Sequence, residues 1–230
     1  MVNHSYSHIL FDLDGTLFDY QKAEKYALSK TFEDFNLSYN EKIHLPTYIE
    51  INISIWKEFE QNRIDVDTVK KKRFDILKKE CNLSYDVEKI SEQYLTRFSE
   101  TTFLYDDAVE ILHYLKQKYH LILITNGLAS VQWPRIKKSN IEPFFKTIII
   151  SEEVGAAKPS REIFDATFKK AEINEKNKAL IIGDTVSSDI LGGIDYGIHT
   201  CWFNNDYKEY DNAKKPTLII RKLNELYSIL

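Results

Sequence analysis

The sequence predicts an α/β protein: a parallel sheet with helices on both faces, interrupted by an inserted helical bundle. Three observations lead there. From residue 100 onward short β-rich runs alternate with helical segments, as expected where every strand is covered on both sides. From about Tyr20 to Glu100 apolar residues recur at intervals of three and four, the helical period. The glycines divide the same way. There are seven in 230 residues, where an average composition of about 7% would give roughly sixteen, and none lies between Gly15 and Gly127.

The elements follow in order. His8 to Leu13 (HILFDL) reads as a short buried strand, closed by a turn at Asp14-Gly15-Thr16. Helices are expected over Gln21 to Phe35, Thr47 to Asn62, Asp67 to Cys81 and Asp86 to Ser99. Their apolar stripes include Ile51, Ile55 and Phe59, then Phe74, Leu77 and Cys81, then Val87, Ile90, Tyr94 and Phe98; Pro46 should interrupt the second segment near its start. Asp107 with Glu110 resembles a capping box opening a helix that buries Ile111, Leu112 and Leu115. The strand Leu121 to Thr125 ends in the turn Asn126-Gly127, and a helix over Ser130 to Ser139 leads to the strand Lys146 to Ser151. A loop through Gly155 and Lys158-Pro159 precedes a helix over Arg161 to Ala171. The strand Ala179 to Asp184, a helix near Ser187 to Tyr196, the strand His199 to Phe203, a final TLII strand and a terminal helix complete the chain. The expected domains are residues 1–18 with 101–230 as a Rossmann-like core, and 19–100 as a helical cap.

Composition narrows the function classes. With 43% apolar and 29% charged residues the chain is a folded one, and a formal charge of -4 offers no general attraction to nucleic acid. The basic runs Lys70 to Arg73 and Lys78-Lys79 fall in a helical pattern and read as a solvated helix face. No basic leader followed by a long apolar run is present, and no stretch approaches the roughly 18 apolar residues of a membrane span. Two cysteines, Cys81 and Cys201, are too few for a disulfide framework and read as small buried apolar residues. The expected setting is the cytoplasm, without membrane or nucleic-acid partners, as a monomer or weak dimer.

In open parallel sheets ligands sit beyond the carboxyl ends of the strands. Four such ends here carry polar groups: Asp12 and Asp14, then Thr125 and Asn126, then the Ser151 to Lys158 loop, then Asp184. A carboxylate can attack phosphorus while its neighbour protonates the departing alcohol and later activates water. Two carboxylates facing a phosphate need a compensating cation, and Asp12 and Asp184 offer the hard oxygens that suit Mg²⁺. Lys158, the Thr125 hydroxyl and backbone N–H groups near Asn126 and Gly127 are candidate phosphate donors. Asp189 is placed to orient Lys158 or a metal-bound water. Each of these alone is as readily a turn, a cap or a solvated charge; their order at successive strand ends is the argument.

At these residues the chain resembles the haloacid dehalogenase superfamily. FDLDGTL (Phe11 to Leu17), LITNG (Leu123 to Gly127), Lys158 in VGAAKP and GDTVSSD (Gly183 to Asp189) are similar to its four motifs. The resemblance implies Asp12 as nucleophile, Asp14 as acid/base, Thr125 on the phosphate, and Mg²⁺ held by Asp12, Asp184 and the main-chain carbonyl of Asp14, with Asp189 in support. It also implies that the helical insert is a cap. ISEEVGAAKP (Ile150 to Pro159) with IIGDTVSSDILGGIDYGIHTCWFN (Ile181 to Asn204) resembles bacterial pyrimidine 5'-nucleotidases, including those acting on noncanonical nucleotides. Asp14 argues against the dehalogenase branch. The implied activity is Mg²⁺-dependent hydrolysis of a small phosphomonoester, a nucleoside monophosphate, through an aspartyl-phosphate. Alternatives are a phosphosugar phosphatase, a β-phosphoglucomutase-like mutase, and a noncatalytic phosphate-ligand binding protein. Phe18, Asp19, Tyr48 and Trp56 are weighed as leaving-group contacts, with core packing the stronger reading for the aromatics.

Overall fold

A computed structural model of the chain describes residues 6–61, 63–210 and 213–230. They fall into two compact units, Gln21–Thr101 and Met1–Tyr20 with Thr102–Leu230. The expected helix end at Asn62 lies outside the described residues.

The Gln21–Thr101 unit is a bundle of four helices, α1 (Tyr20–Asp34), α2 (Glu41–Glu60), α3 (Val66–Glu80) and α4 (Val87–Ser99). Ile51 and Ile55, Phe74 and Leu77, and Ile90, Tyr94 and Phe98 are buried, so the spacing in the sequence does mark inward faces. Asn40, Asp65 and Asp86 cap α2, α3 and α4 from extended backbone, each accepting an N–H of the first turn, worth about 1 kcal/mol apiece. Tyr48 is fully buried against Phe74 and Tyr94, which places it in the bundle's own core.

Two expectations for this unit are corrected. Pro46 does not delay α2. With Asn40 as cap the helix starts at Glu41 and runs through the proline, which forfeits one backbone hydrogen bond near the amino end. The Lys70 to Arg73 run is not wholly a solvated face. Arg73 is buried, because it falls four residues after Val69 and four before Leu77 on the stripe that faces inward. Its Nη1 donates to Asn52 Oδ1 at 3.2 Å, and Asn52 Nδ2 donates to Glu24 Oε1 at 2.9 Å.

The second unit holds six strands, β1 (His8–Phe11), β2 (His120–Thr125), β3 (Thr147–Ile150), β4 (Ala179–Gly183), β5 (His199–Phe203) and β6 (Leu218–Ile220). All pairs are parallel, in the order β3-β2-β1-β4-β5-β6. Its helices are α5 (Ala108–Lys116), α6 (Ala129–Lys138), α7 (Ser151–Val154), α8 (Arg161–Lys170), α9 (Gly192–Tyr196) and α10 (Leu226–Ile229). Alternate strand residues bury on opposite faces. Phe11, Leu121, Leu123, Leu180 and Ile182 join Ile111, Leu112 and Leu115 of α5, whereas Leu10, Ile122, Ile124 and Ile181 join Ile163, Phe164 and Phe168 of α8. Burial on both sides is why these strands read as unbroken apolar runs. Cys81 and Cys201 are both free thiols. Among the described residues no helix is long and apolar enough to cross a membrane.

Three local expectations change here. Asp107 makes no capping bond, because its backbone is already helical (φ -86°, ψ -2°) and cannot turn its oxygen over the first turn. Ser151 opens the one-turn helix α7, ended by Gly155 at φ 75°, where a loop was expected. The segment Val186–Leu191 winds as a π-helical turn before α9 begins at Gly192. Turns of that kind are frequent at functional sites, and Asp189 lies within this one with its side chain buried.

Candidate active site

The strand order brings the predicted residues together. β1 lies between β2 and β4, with Phe11 in register with Leu123 and Ile182, so the chain that follows each of these strands emerges at one edge. Sequence order reverses between β1 and β4, the position at which open sheets form a crevice.

After β1 the chain turns at once. Asp12 N–H donates to Ile182 O at 2.9 Å, Leu17 and Phe18 N–H both reach Leu13 O, and Gly15 takes φ 88°. Only glycine adopts that conformation without penalty. A Cβ on Gly15 would also lie 2.5 Å from Asp184 Oδ2, so the missing side chain makes room for a carboxylate. The turn leaves Asp12 buried and the Asp14 side chain 18% exposed. Thr16 Oγ1 sits 3.2 Å from Asp12 Oδ2 and 3.5 Å from Asp184 Oδ1. Trp202 on β5 donates Nε1–H to Asp184 O at 2.9 Å, holding the backbone beyond β4.

Lys158 is the hub. Its Nζ donates to Asp12 Oδ1 and Asp189 Oδ1, each at 2.6 Å, and to Ile124 O at 2.9 Å, using all three ammonium protons in a buried position. Burial opposes the charge, yet Asp12 and Asp189 outweigh it and hold the ammonium above its ordinary range. Asp189 Oδ2 accepts Thr185 N–H at 3.1 Å. Gly183 is another glycine that yields its side-chain space, for a Cβ there would meet the Asp189 carboxylate at 2.4 Å.

Asn126 and Gly127 serve the scaffold. Asn126 Oδ1 accepts Lys158 N–H and its Nδ2 donates to Lys158 O, both at 2.8 Å, so one amide clamps the backbone that carries the lysine. Gly127 N–H donates to Ser151 Oγ at 2.9 Å, tying the β2 loop to α7. The Thr125 hydroxyl, at the buried end of β2, accepts from Gln132 Nε2 at 3.1 Å.

The carboxylates carry the electrostatic tension. Oxygens of Asp12, Asp184 and Asp189 lie within 4.8 Å of one another, with Lys158 the cation hydrogen-bonded between two of them. Desolvation, then repulsion from Asp189, pushes Asp184 up to about 7. Desolvation raises Asp12 as well, against the pull of Lys158. With Asp189 committed to Lys158 and Thr185, the Asp12 and Asp184 carboxylates, short of positive charge beside a turn cleared of side-chain bulk at Gly15, suit a small divalent cation.

Two residues of this site are absent from the sequence reading. Gln132 and Arg135 lie three apart on α6, and both reach Asp14. Gln132 Nε2 donates to Asp14 Oδ2 at 2.8 Å, while Arg135 Nη1 lies 2.9 Å from Oδ2 and 2.7 Å from Oδ1. Their three-residue spacing puts them on one helix face with Val131 and Ile136 beside them, a signal available in the sequence, though a polar pair so spaced is more often solvent-facing.

Known proteins resemble the chain in sequence and in fold. The sequence profile of the haloacid dehalogenase-like hydrolase family matches residues 9–203. YfnB of Bacillus subtilis (strain 168), named as a HAD-hydrolase, is 37% identical over 98% of this chain and 95% of its own length. A crystal structure of YfnB bound to magnesium superposes with a TM-score of 0.92, covering 97% of this chain and 98% of that one. The pyrimidine 5'-nucleotidase YjjG of Escherichia coli (strain K12) is 30% identical over 96% of both chains, and the pyrimidine 5'-nucleotidase PynA of Streptococcus pneumoniae is 27% identical over 98% of this chain and 95% of its own.

Proposed function

The chain belongs to the haloacid dehalogenase-like hydrolases, and from that premise we propose that it is a Mg²⁺-dependent cytoplasmic phosphomonoesterase that acts on nucleoside 5'-monophosphates, pyrimidine ones among them. The observation that carries this reading is Lys158 locked between Asp12 and Asp189, with Asp184 beside them and Asp14 two residues along the same turn. Relatives named as pyrimidine 5'-nucleotidases at 27% and 30% identity support the substrate class.

In this reading an Asp12 carboxylate oxygen attacks phosphorus and forms an aspartyl-phosphate. Its approach is directed by the hydrogen bond from Lys158, which also neutralises charge at the nucleophile. Thr125 donates its hydroxyl to a phosphate oxygen. Asp14 gives a proton to the nucleoside oxygen as it leaves, then takes one from the water that cleaves the acyl-phosphate. Asp189 holds Lys158 throughout and does not itself react. Asp12, Asp184 and the Asp14 carbonyl would hold Mg²⁺, which when bound screens the negative charge of the phosphate against the carboxylates.

The test is phosphate release from a panel of nucleoside monophosphates, deoxynucleoside monophosphates and sugar phosphates with Mg²⁺, repeated on Asp12→Asn. Release greatest for pyrimidine nucleotides and abolished in the variant is expected. A preference for sugar phosphates would move the enzyme to another substrate class, and full activity in Asp12→Asn would remove the nucleophile.

A further inference from the structure

We propose that Gln132 and Arg135 are positioning residues for Asp14, fixing the orientation of the carboxyl group that exchanges a proton with the leaving group and then with water. This rests on the phosphomonoesterase reading above and adds to it the part of the molecule that aims the acid.

The geometry is directional. Arg135 is fully buried, and its guanidinium stacks on the Phe18 ring at 4.6 Å, so its position is set by packing as well as by charge. Its Nη1 donates to Gln132 Oε1 at 2.8 Å. That bond settles which end of the Gln132 amide faces which neighbour: with Oε1 turned to the guanidinium, Nε2 must face the other way. There Nε2 meets Asp14 Oδ2 at 2.8 Å and Thr125 Oγ1 at 3.1 Å. One amide therefore spans the residue expected on the phosphate and the residue expected on the leaving oxygen. Asp14 Oδ2 is held by both Gln132 and Arg135, and Oδ1 is buried 2.7 Å from Arg135 Nη1, so the two α6 side chains fix the plane and direction of the carboxyl group. Gly127 completes the arrangement. A Cβ at that position would stand 2.9 Å from Gln132 Nε2, so the glycine after Asn126 clears the path of the amide.

Stability alone is a poor reason for such a group. A buried ion pair is commonly no better than apolar residues of the same volume, and α6 already buries Val131 and Ile136. What the pair supplies is aim. The bond from Asp12 to phosphorus forms as the bond from phosphorus to the ester oxygen breaks. The ester oxygen keeps the electron pair and takes the proton from the Asp14 carboxyl group, leaving a neutral alcohol and a carboxylate that faces Arg135. A displacement of that carboxyl group by a fraction of a hydrogen-bond length would slow the transfer without touching the nucleophile.

The leaving group separates aim from general damage. Nitrophenolate departs without a proton, whereas a nucleoside oxygen needs one. We compare kcat/KM, which reports events through leaving-group departure, for uridine 5'-monophosphate and p-nitrophenyl phosphate with Mg²⁺. Arg135→Met and Gln132→Leu should lower the ratio of the first to the second by about tenfold or more, in the direction of Asp14→Asn, which sets the full effect. A loosened fold would slow both substrates alike, and an equal loss on both, or an unchanged ratio, overturns the proposal. Circular dichroism and thermal melting establish that each variant folds; should Arg135→Met not fold, Gln132→Leu decides. If the wild type releases phosphate from other alkyl esters but not from nucleotides, the nucleotide assignment fails and the best alkyl ester takes its place in the ratio. Inactivity toward every phosphomonoester would sink both readings.

Discussion

Replacing Gly15 with alanine would set a Cβ 2.5 Å from Asp184 Oδ2, 2.6 Å from its Cγ and 2.7 Å from its Oδ1. The same residue has φ 88°, a left-handed conformation that costs an L-residue about 1–2 kcal/mol. Alanine offsets part of this, about 0.4–1 kcal/mol, by restricting the unfolded chain. Gly155 provides the control. Its φ is 75° and nothing lies within 4 Å of the Cβ it would gain, so Gly155→Ala measures the net backbone contribution, about 1 kcal/mol. Gly15→Ala adds steric overlap of about 1–3 kcal/mol, for a total of about 2–4. The overlap can be relieved only by swinging the Asp184 carboxylate away from Thr16 and Asp12, which trades stability for the cation site. Urea unfolding followed by circular dichroism in metal-free buffer should therefore show Gly15→Ala less stable than Gly155→Ala, and Mg²⁺ titration of phosphate release should show activation lost in the first variant only. Equal stability of the two variants together with full Mg²⁺ activation of Gly15→Ala would refute the reasoning.

Lys158→Met removes an ammonium whose three donors are all engaged; phosphate release should fall by about 10²–10³-fold or more, and a steady-state rate within tenfold of wild type would deny the lysine its role. Arg73→Ala should destabilise the helical unit by about 3 kcal/mol, since it empties a buried site and takes a cation from the Glu24 and Asn52 chain; an unchanged urea midpoint would contradict this. His44 lies between the Phe32 and Tyr39 rings, and its Nδ1 accepts Asn40 N–H at 2.9 Å. Burial lowers it below the ordinary 6.5, so the unfolded chain binds the proton more readily. Its contribution is present in full above about pH 6.5 and is lost as the pH falls through the lower folded value. The loss of stability between about pH 7.5 and about pH 5 should shrink in His44→Phe, and an unchanged slope would show that the imidazole is not titrating as described.

Legibility followed the range of the signals. Asp12, Asp14, Lys158, Asp184 and Asp189 could be located because each stands at a strand end or in the loop or turn just beyond one, and strand ends are marked by local composition. Gly15 and Gly127 were legible as turn residues and Gly183 as the close of a strand. Their reasons are contacts with Asp184, Gln132 and Asp189, residues that their own neighbourhoods in the sequence do not name as partners. The Asn126-Gly127 turn ends a strand, which made its backbone N–H groups candidate phosphate donors; what the sequence did not reveal is that Gly127 N–H meets Ser151 Oγ and that the Asn126 side chain holds the Lys158 backbone. Arg73 and Arg135 were illegible for one shared reason: a basic residue on a helix reads as solvated until the opposing carboxylate or amide is known.

By itself the sequence determined the two kinds of element, their order, and the polar residues beyond successive strands, since apolar period and turn chemistry act within a few residues. Only the tertiary structure decided that β1 runs between β2 and β4, that one lysine joins two carboxylates from separate loops, and that α6 turns Gln132 and Arg135 onto Asp14. Those choices depend on which strands pair and which faces bury, energies shared among residues more than a hundred positions apart and therefore absent from any local stretch of chain.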